Sequence, residues 1–111
     1  EASWCPPVDV FETEDAYVVK MELAGVDRDN LSVTFDHGQL TVVGCRHEFC
    51  SEAKVTCHQM EIPYGQFKRT IFISRNTDAD GITAQYVTGF LEIHIPRADR
   101  HSQEKVRIEV E

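Results

Sequence analysis

A chain of 111 residues, 41% of them hydrophobic, suits one globular domain with a modest core rather than two. Its formal net charge of −8, with eleven scattered Lys and Arg, argues against a nucleic-acid backbone as partner, and the surplus acid serves solubility. No apolar run nears the roughly 18 residues that cross a bilayer, and the first seven residues lack the regions of a signal peptide, so a cytoplasmic protein without a membrane partner is expected.

The chain does not begin with Met, and an amino-terminal arm is expected before Glu1. Behind Pro6-Pro7, Val8, Val10 and Glu12 open a first strand. Tyr17, Val19, Met21 and Leu23 alternate in a second that stops near Gly25, with Glu14-Asp15 as the turn between them. Asp27 to Asn30 is a polar corner. Leu31, Val33 and Phe35 then alternate with polar residues, and His37-Gly38 turns the chain tightly into Leu40, Val42 and Gly44. From Cys45 to Pro63 the pattern weakens around a short strand expected at Val55 to Met60. A connection this long inside a β domain is commonly functional or shared between subunits.

Phe67, Arg69, Ile71 and Ile73 resume the alternation, and Phe72 makes that strand apolar on both faces. After an acidic loop from Asn76 to Gly81, Ile82, Ala84 and Tyr86 form a short strand, and Thr88-Gly89 turns into Phe90 to Ile95 before Pro96 closes the domain. About eight short strands at irregular spacing indicate an all-β, immunoglobulin-like antiparallel sandwich. Residues 1–97 are read as the domain and 98–111 as a carboxy-terminal extension. An extended chain from Pro96 to Ile108 reaches at most about 40 Å, which is expected to carry the lone strand at Val106 to Val110 onto another subunit.

These segments resemble the small heat-shock proteins through their α-crystallin domain, over nearly the whole chain. Pro7-Val8-Asp9-Val10-Phe11-Glu12 with Tyr17-Val18-Val19-Lys20 resembles the family's opening strands, and Leu23-Ala24-Gly25-Val26 with Asn30-Leu31-Ser32-Val33 its next loop and strand. Tyr64-Gly65-Gln66-Phe67-Lys68-Arg69 is similar to its glycine, phenylalanine and arginine signature. Ala84 through Gly89-Phe90-Leu91 is similar to its alanine leading to G-V-L, and Ile108-Glu109-Val110 to its carboxy-terminal I-x-I/V motif. Departures are Cys57-His58-Gln59 where an aromatic, a histidine and an arginine are common, Ile62 for a second arginine, Ile73-Ser74 for Leu-Pro, and Phe90 for valine.

The resemblance implies an ATP-independent holdase that binds partly unfolded client proteins, needs no cofactor or metal, and forms homodimers and higher oligomers. It implies that the Cys45 to Pro63 connection makes the dimer, with Cys57, His58, Gln59, Met60 and Arg69 at the interface. Arg69 shares a face with Phe67 and Ile71, so it needs a carboxylate or carbonyl partner. The resemblance also implies an apolar groove of Leu31, Val33, Phe35, Ile82, Ala84 and Tyr86, unless the first three are plain core. Ile108 and Val110, spaced by two, point the same way and fit such a groove.

The alternative is a thiol- or metal-responsive assembly protein built on Cys45, His47, Cys50, Cys57 and His58, a mixed set that lacks the tight C-x2-C pair of a zinc finger. Four reduced, inert thiols are the simpler reading. An enzyme is not expected: no nucleophile elbow, paired carboxylates or glycine-rich phosphate loop is present. His94 reads as a solvent-facing strand residue and His37 as a turn residue, while Trp4 with Pro6-Pro7 packs the open end of the domain.

Overall fold

The computed structural model describes residues 3–48, 55–73, 76–98 and 106–111. The alternating segments form β1 (Val8–Glu12), β2 (Ala16–Glu22), β3 (Ser32–Asp36), β4 (Gln39–Arg46), β5 (Gly65–Phe72), β6 (Thr83–Val87), β7 (Phe90–Pro96) and β8 (Val106–Ile108). Two four-stranded antiparallel sheets result, in the orders β1-β2-β7-β6 and β5-β4-β3-β8. The period-2 pattern sets what each sheet turns inward. Val19, Met21, Leu91, Ile93 and Ile95 come from one sheet and Val33, Phe35, Leu40, Val42 and Phe67 from the other, all essentially buried in one cluster. Register keeps the inward residues opposite one another, with Val19 facing Ile93 and Val33 facing Val42. The sheets stack as a sandwich, and no helix among the described residues is long and apolar enough to cross a membrane.

The polar corner and the acidic loop both tighten into single 3-10 turns, Arg28–Asn30 and Ala79–Gly81. In each, an aspartate carboxylate (Asp27, Asp78) accepts from the backbone N–H two residues on. β4 runs two residues past Gly44, to Arg46. It can do so because Gly44 has no side chain: a Cβ there would lie 2.6 Å from the Phe67 ring of the adjoining strand.

The strand expected at Val55 to Met60 is absent. Residues 55–62 lie outside all strands and are exposed, because an isolated extended segment has no ladder to join. This segment stands off the sandwich. The Cα radius of gyration is 16.0 Å, against about 13 Å for a compact domain of this size.

Two of the hairpins, β3–β4 and β6–β7, close with two-residue turns whose central residues have positive φ: His37 (50°) with Gly38 (80°), and Thr88 (50°) with Gly89 (84°). Those angles suit the right-handed twist of the flanking strands. A β-branched residue pays a steric penalty there. Thr88→Asn is therefore expected to raise stability by about 1 kcal/mol, a gain of roughly 4 °C in Tm. A thermal melt checks it, and an unchanged or lower Tm would show that the Thr88 hydroxyl bond to Val87 O outweighs the strain.

Candidate functional site

β3 and β6 lie on different sheets, and each would be an outer strand without the carboxy-terminal residues. β8 pairs antiparallel with β3, setting Val106 opposite Phe35, Arg107 opposite Thr34 and Ile108 opposite Val33. Past Glu109 the chain crosses to the other sheet, where Val110 bridges Ala84 in parallel. There the Glu111 N–H donates to Ala84 O at 2.8 Å and the Tyr86 N–H donates to Glu111 O at 2.7 Å. Ile108 is 5% exposed and belongs to the core cluster, Val106 and Val110 pack on it, and Arg107 and Glu109 face solvent.

The structure thus brings Val33, Phe35, Ile82, Ala84 and Tyr86 together with Ile108 and Val110, with Leu31 in the same cluster. Val33 and Phe35 are fully buried, so they serve the core and floor the groove at once. Tyr86 fixes the groove wall by donating its hydroxyl to Leu23 O at 2.6 Å. Within this single chain the tail pairs with β3 and β6 of its own sandwich. A reach of about 40 Å is an upper bound on distance, and closing a short loop onto the same domain costs little entropy.

Cys57, His58, Gln59 and Met60 all lie on the exposed segment, with Val55, Met60 and Ile62 51%, 64% and 61% exposed. Together with Glu48 and Tyr64 they line an open hollow of about 480 Å³. Arg69 lies apart from this set in its contacts. Its Nη1 donates to Pro6 O at 3.2 Å and approaches Cys5 Sγ at 3.0 Å, so its carbonyl partner comes from the same chain. β1 has β2 on one side and no strand on the other among the described residues, and its Val10 and Phe11 are 45% and 54% exposed.

Of the candidate thiol and metal set, Cys50 lies outside the described residues. Cys45 Sγ is 4.0 Å from His47 Nδ1, while Cys57 and His58 are exposed on the projecting segment. Among the described residues no three His, Cys, Asp or Glu side chains are grouped to hold a metal ion.

Sequence reasoning passed over Arg46, which is 9% exposed. The signal was present: it sits on the inward parity of Leu40, Val42 and Gly44, two residues beyond the glycine at which the strand was expected to stop. Trp4 packs as foreseen at this end, edge-on to Phe67 with ring centroids 5.5 Å apart.

Comparison with known proteins gives a consistent result. The family model described as Hsp20/alpha crystallin family matches residues 9–111. Small heat shock protein C4 of Rickettsia felis is 32% identical over 103 residues, covering 93% of this chain and 63% of the relative. Heat shock protein 16 of Schizosaccharomyces pombe is 34% identical over 110 residues, covering 95% of this chain and 74% of the relative. Among solved structures, hspA from Xanthomonas axonopodis superposes with a TM-score of 0.80 at 35% identity, covering 89% of this chain and 99% of that one. A small heat-shock protein from Xylella fastidiosa, for which a distinct high order structure is described, gives 0.79 at 35% identity, covering 93% and 95%.

The tail contact is separable from the fold. Ile108→Ala is expected to speed amide exchange at Tyr86 and Glu111 about 30-fold, equivalent to about 2 kcal/mol of lost burial, while Val19 and Leu91 in the core keep their protection. NMR hydrogen exchange reads both sets, and equal loss at all four would show that the tail is part of the global folding unit.

Proposed function

We propose that this chain, which belongs to the Hsp20/alpha crystallin family, is an ATP-independent holdase of the cytoplasm, without enzymatic activity, that keeps partly unfolded proteins from aggregating. The observation that carries the reading is the groove between β3 and β6, with an apolar floor and rims whose backbone groups pair with a short strand of the chain itself. A groove that accepts Val106, Ile108 and Val110 by backbone pairing and alternate apolar side chains accepts any extended segment with that pattern. Exposed hydrophobic segments of unfolding proteins have it.

Assembly follows from two unmet needs of the fold. Among the described residues β1 has no strand beside its exposed Val10 and Phe11, and the segment carrying Cys57, His58, Gln59 and Met60 lies outside every strand, exposed and apolar in part. In the proposed homodimer each protomer lays this arm along β1 of its partner, which satisfies both by β-augmentation. Arg69 supports that seam by holding Pro6 just ahead of β1. Larger oligomers arise when a tail leaves its own groove for that of a neighbour. The high order structure of the Xylella fastidiosa relative supports this reading.

The mass of the chain in solution tests assembly. Under reducing conditions, light scattering is expected to give species larger than a dimer for the parent and a dimer for the Ile108→Ala/Val110→Ala variant; equal masses would remove the tail as the assembly device. Holding is tested separately with insulin whose disulfides are reduced by dithiothreitol. The parent is expected to suppress its light scattering at one subunit per insulin or less without ATP, and the tail variant to do so at least as well, since its groove is open. No suppression by either chain would leave only a client-free scaffold.

A further inference from the structure

The alternation that buries Leu40 and Val42 also buries the guanidinium of Arg46 at the end of β4. A buried cation must be compensated, and here carbonyls and aromatic faces do so. Nε and Nη2 both donate to Pro63 O, at 3.0 and 2.8 Å, and Nη1 donates to Ala24 O at 3.0 Å. The guanidinium carbon lies 4.2 Å from the Trp4 ring centroid and 5.8 Å from that of Tyr64. Trp4 is itself fixed, its Nε1–H donating to Gly65 O at 2.8 Å, and the Ser3 N–H donates to Gln66 O at 2.7 Å.

The places of these partners in the chain give the cluster its meaning. Arg46 is the last residue of β4 before the long connection, and Pro63 lies at its far root, just ahead of β5. One planar side chain therefore ties the two roots of the arm together and fixes them to the loop after β2. Its aromatic cover belongs to the segment at residues 3–7, which next passes Arg69 and becomes β1, the open edge. Lysine could not replace it, because a point-charge ammonium lacks the flat fork that stacks under one ring while donating twice to one carbonyl.

We propose that Arg46, through Pro63, is a positioning residue for the arm at residues 55–63 and that Trp4 is its removable lid, so that displacement of the amino-terminal segment loosens the dimer. With Trp4 stacked, the arm leaves the sandwich in one direction and meets the β1 edge of a second copy. With Trp4 withdrawn, the guanidinium is hydrated, its hold on Pro63 weakens and the arm swings. Any ligand or chain segment that draws residues 3–7 off β5 then acts as a release for subunit exchange. This inference rests on the arm-mediated dimer proposed above.

Trp4 is the single tryptophan of the chain, so its emission reports the lid. Subunit exchange between 15N-labelled and unlabelled protein, followed by native mass spectrometry, reports the arm. Trp4→Ala and Arg46→Lys are each expected to speed exchange about tenfold, the size of a desolvated cation–π contact. Trp4→Phe, which keeps an aromatic face, should stay within about threefold of the parent. The double variant Trp4→Ala/Arg46→Lys should be no faster than the faster single, since both remove one interaction, and Arg46→Lys should red-shift Trp4 emission.

Unchanged exchange in both singles overturns the proposal, and so do effects that multiply in the double variant, which mark two independent packing defects. Should Arg46→Lys fail to fold, Trp4→Ala against Trp4→Phe decides alone. A monomeric parent would refute the dimer instead. Deuterium uptake across residues 59–66 then judges the clamp, with uptake about tenfold faster in Trp4→Ala supporting it and unaltered uptake overturning it.

Discussion

A sandwich of two open sheets ends in outer strands whose backbone N–H and C=O groups lack a ladder, and this unmet hydrogen bonding governs how the rest of the molecule is arranged. The chain covers most of these edges with its own loose ends. β8 lies on β3, residues 110–111 lie on β6, and Ser3 and Trp4 lie beside the start of β5. Among the described residues β1 has no strand on its outer side, and the arm at residues 55–62 lies outside every strand and is exposed. In the proposed dimer these are complementary needs, which two copies would meet reciprocally under two-fold symmetry.

The amino-terminal and carboxy-terminal segments share this work unequally. The tail closes its groove with residues that alternate cleanly, so its fit comes from apolar side chains and a ladder, and any strand of similar pattern competes with it. The amino-terminal segment closes its edge with Trp4, whose face covers a guanidinium and whose N–H is used by Gly65 O. That closure is specific to Arg46 and cannot be replaced by a generic apolar strand. The tail's closure thus depends on a general pattern, and the amino-terminal closure on one particular pair, Trp4 and Arg46.

Most of the strand framework was legible because residues such as Tyr17, Val19 and Met21, or Leu91, Ile93 and Ile95, alternate against a polar face, and the two tight turns carry glycine at the position that needs positive φ. What failed depended on partners that pattern does not name. Val55 to Met60 looked like a strand, yet strand formation requires a ladder, and the sandwich provides none for it. The tail was legible as a strand with its two apolar positions, but a maximal reach does not name the strands with which its end pairs. The face of Arg69 could be read from Phe67 and Ile71, whereas its partner, Pro6 O, is 63 residues away. Arg46 was hidden by habit: a charge after a weakening alternation reads as the start of a loop, although its parity was that of the core.

The energetics of the tail explain how one groove can be both protected and available. Burying Ile108 and part of Val106 and Val110 gains about 3–6 kcal/mol, and the few backbone hydrogen bonds add about 1 kcal/mol each. Ordering residues 106–111 costs about 6–12 kcal/mol, so the contact is close to balanced when counted alone. What holds it is the tether, which presents the tail to its own groove at an effective concentration of about millimolar. In the proposed oligomer the tails of neighbours would be present at similar local concentration, so the advantage of the cis tail would fall and exchange between grooves would carry little net free-energy change. On that proposal an unfolding protein that offers several apolar strands at once would compete by multivalency rather than by a better fit, and the groove would need no nucleotide-driven step to open for it.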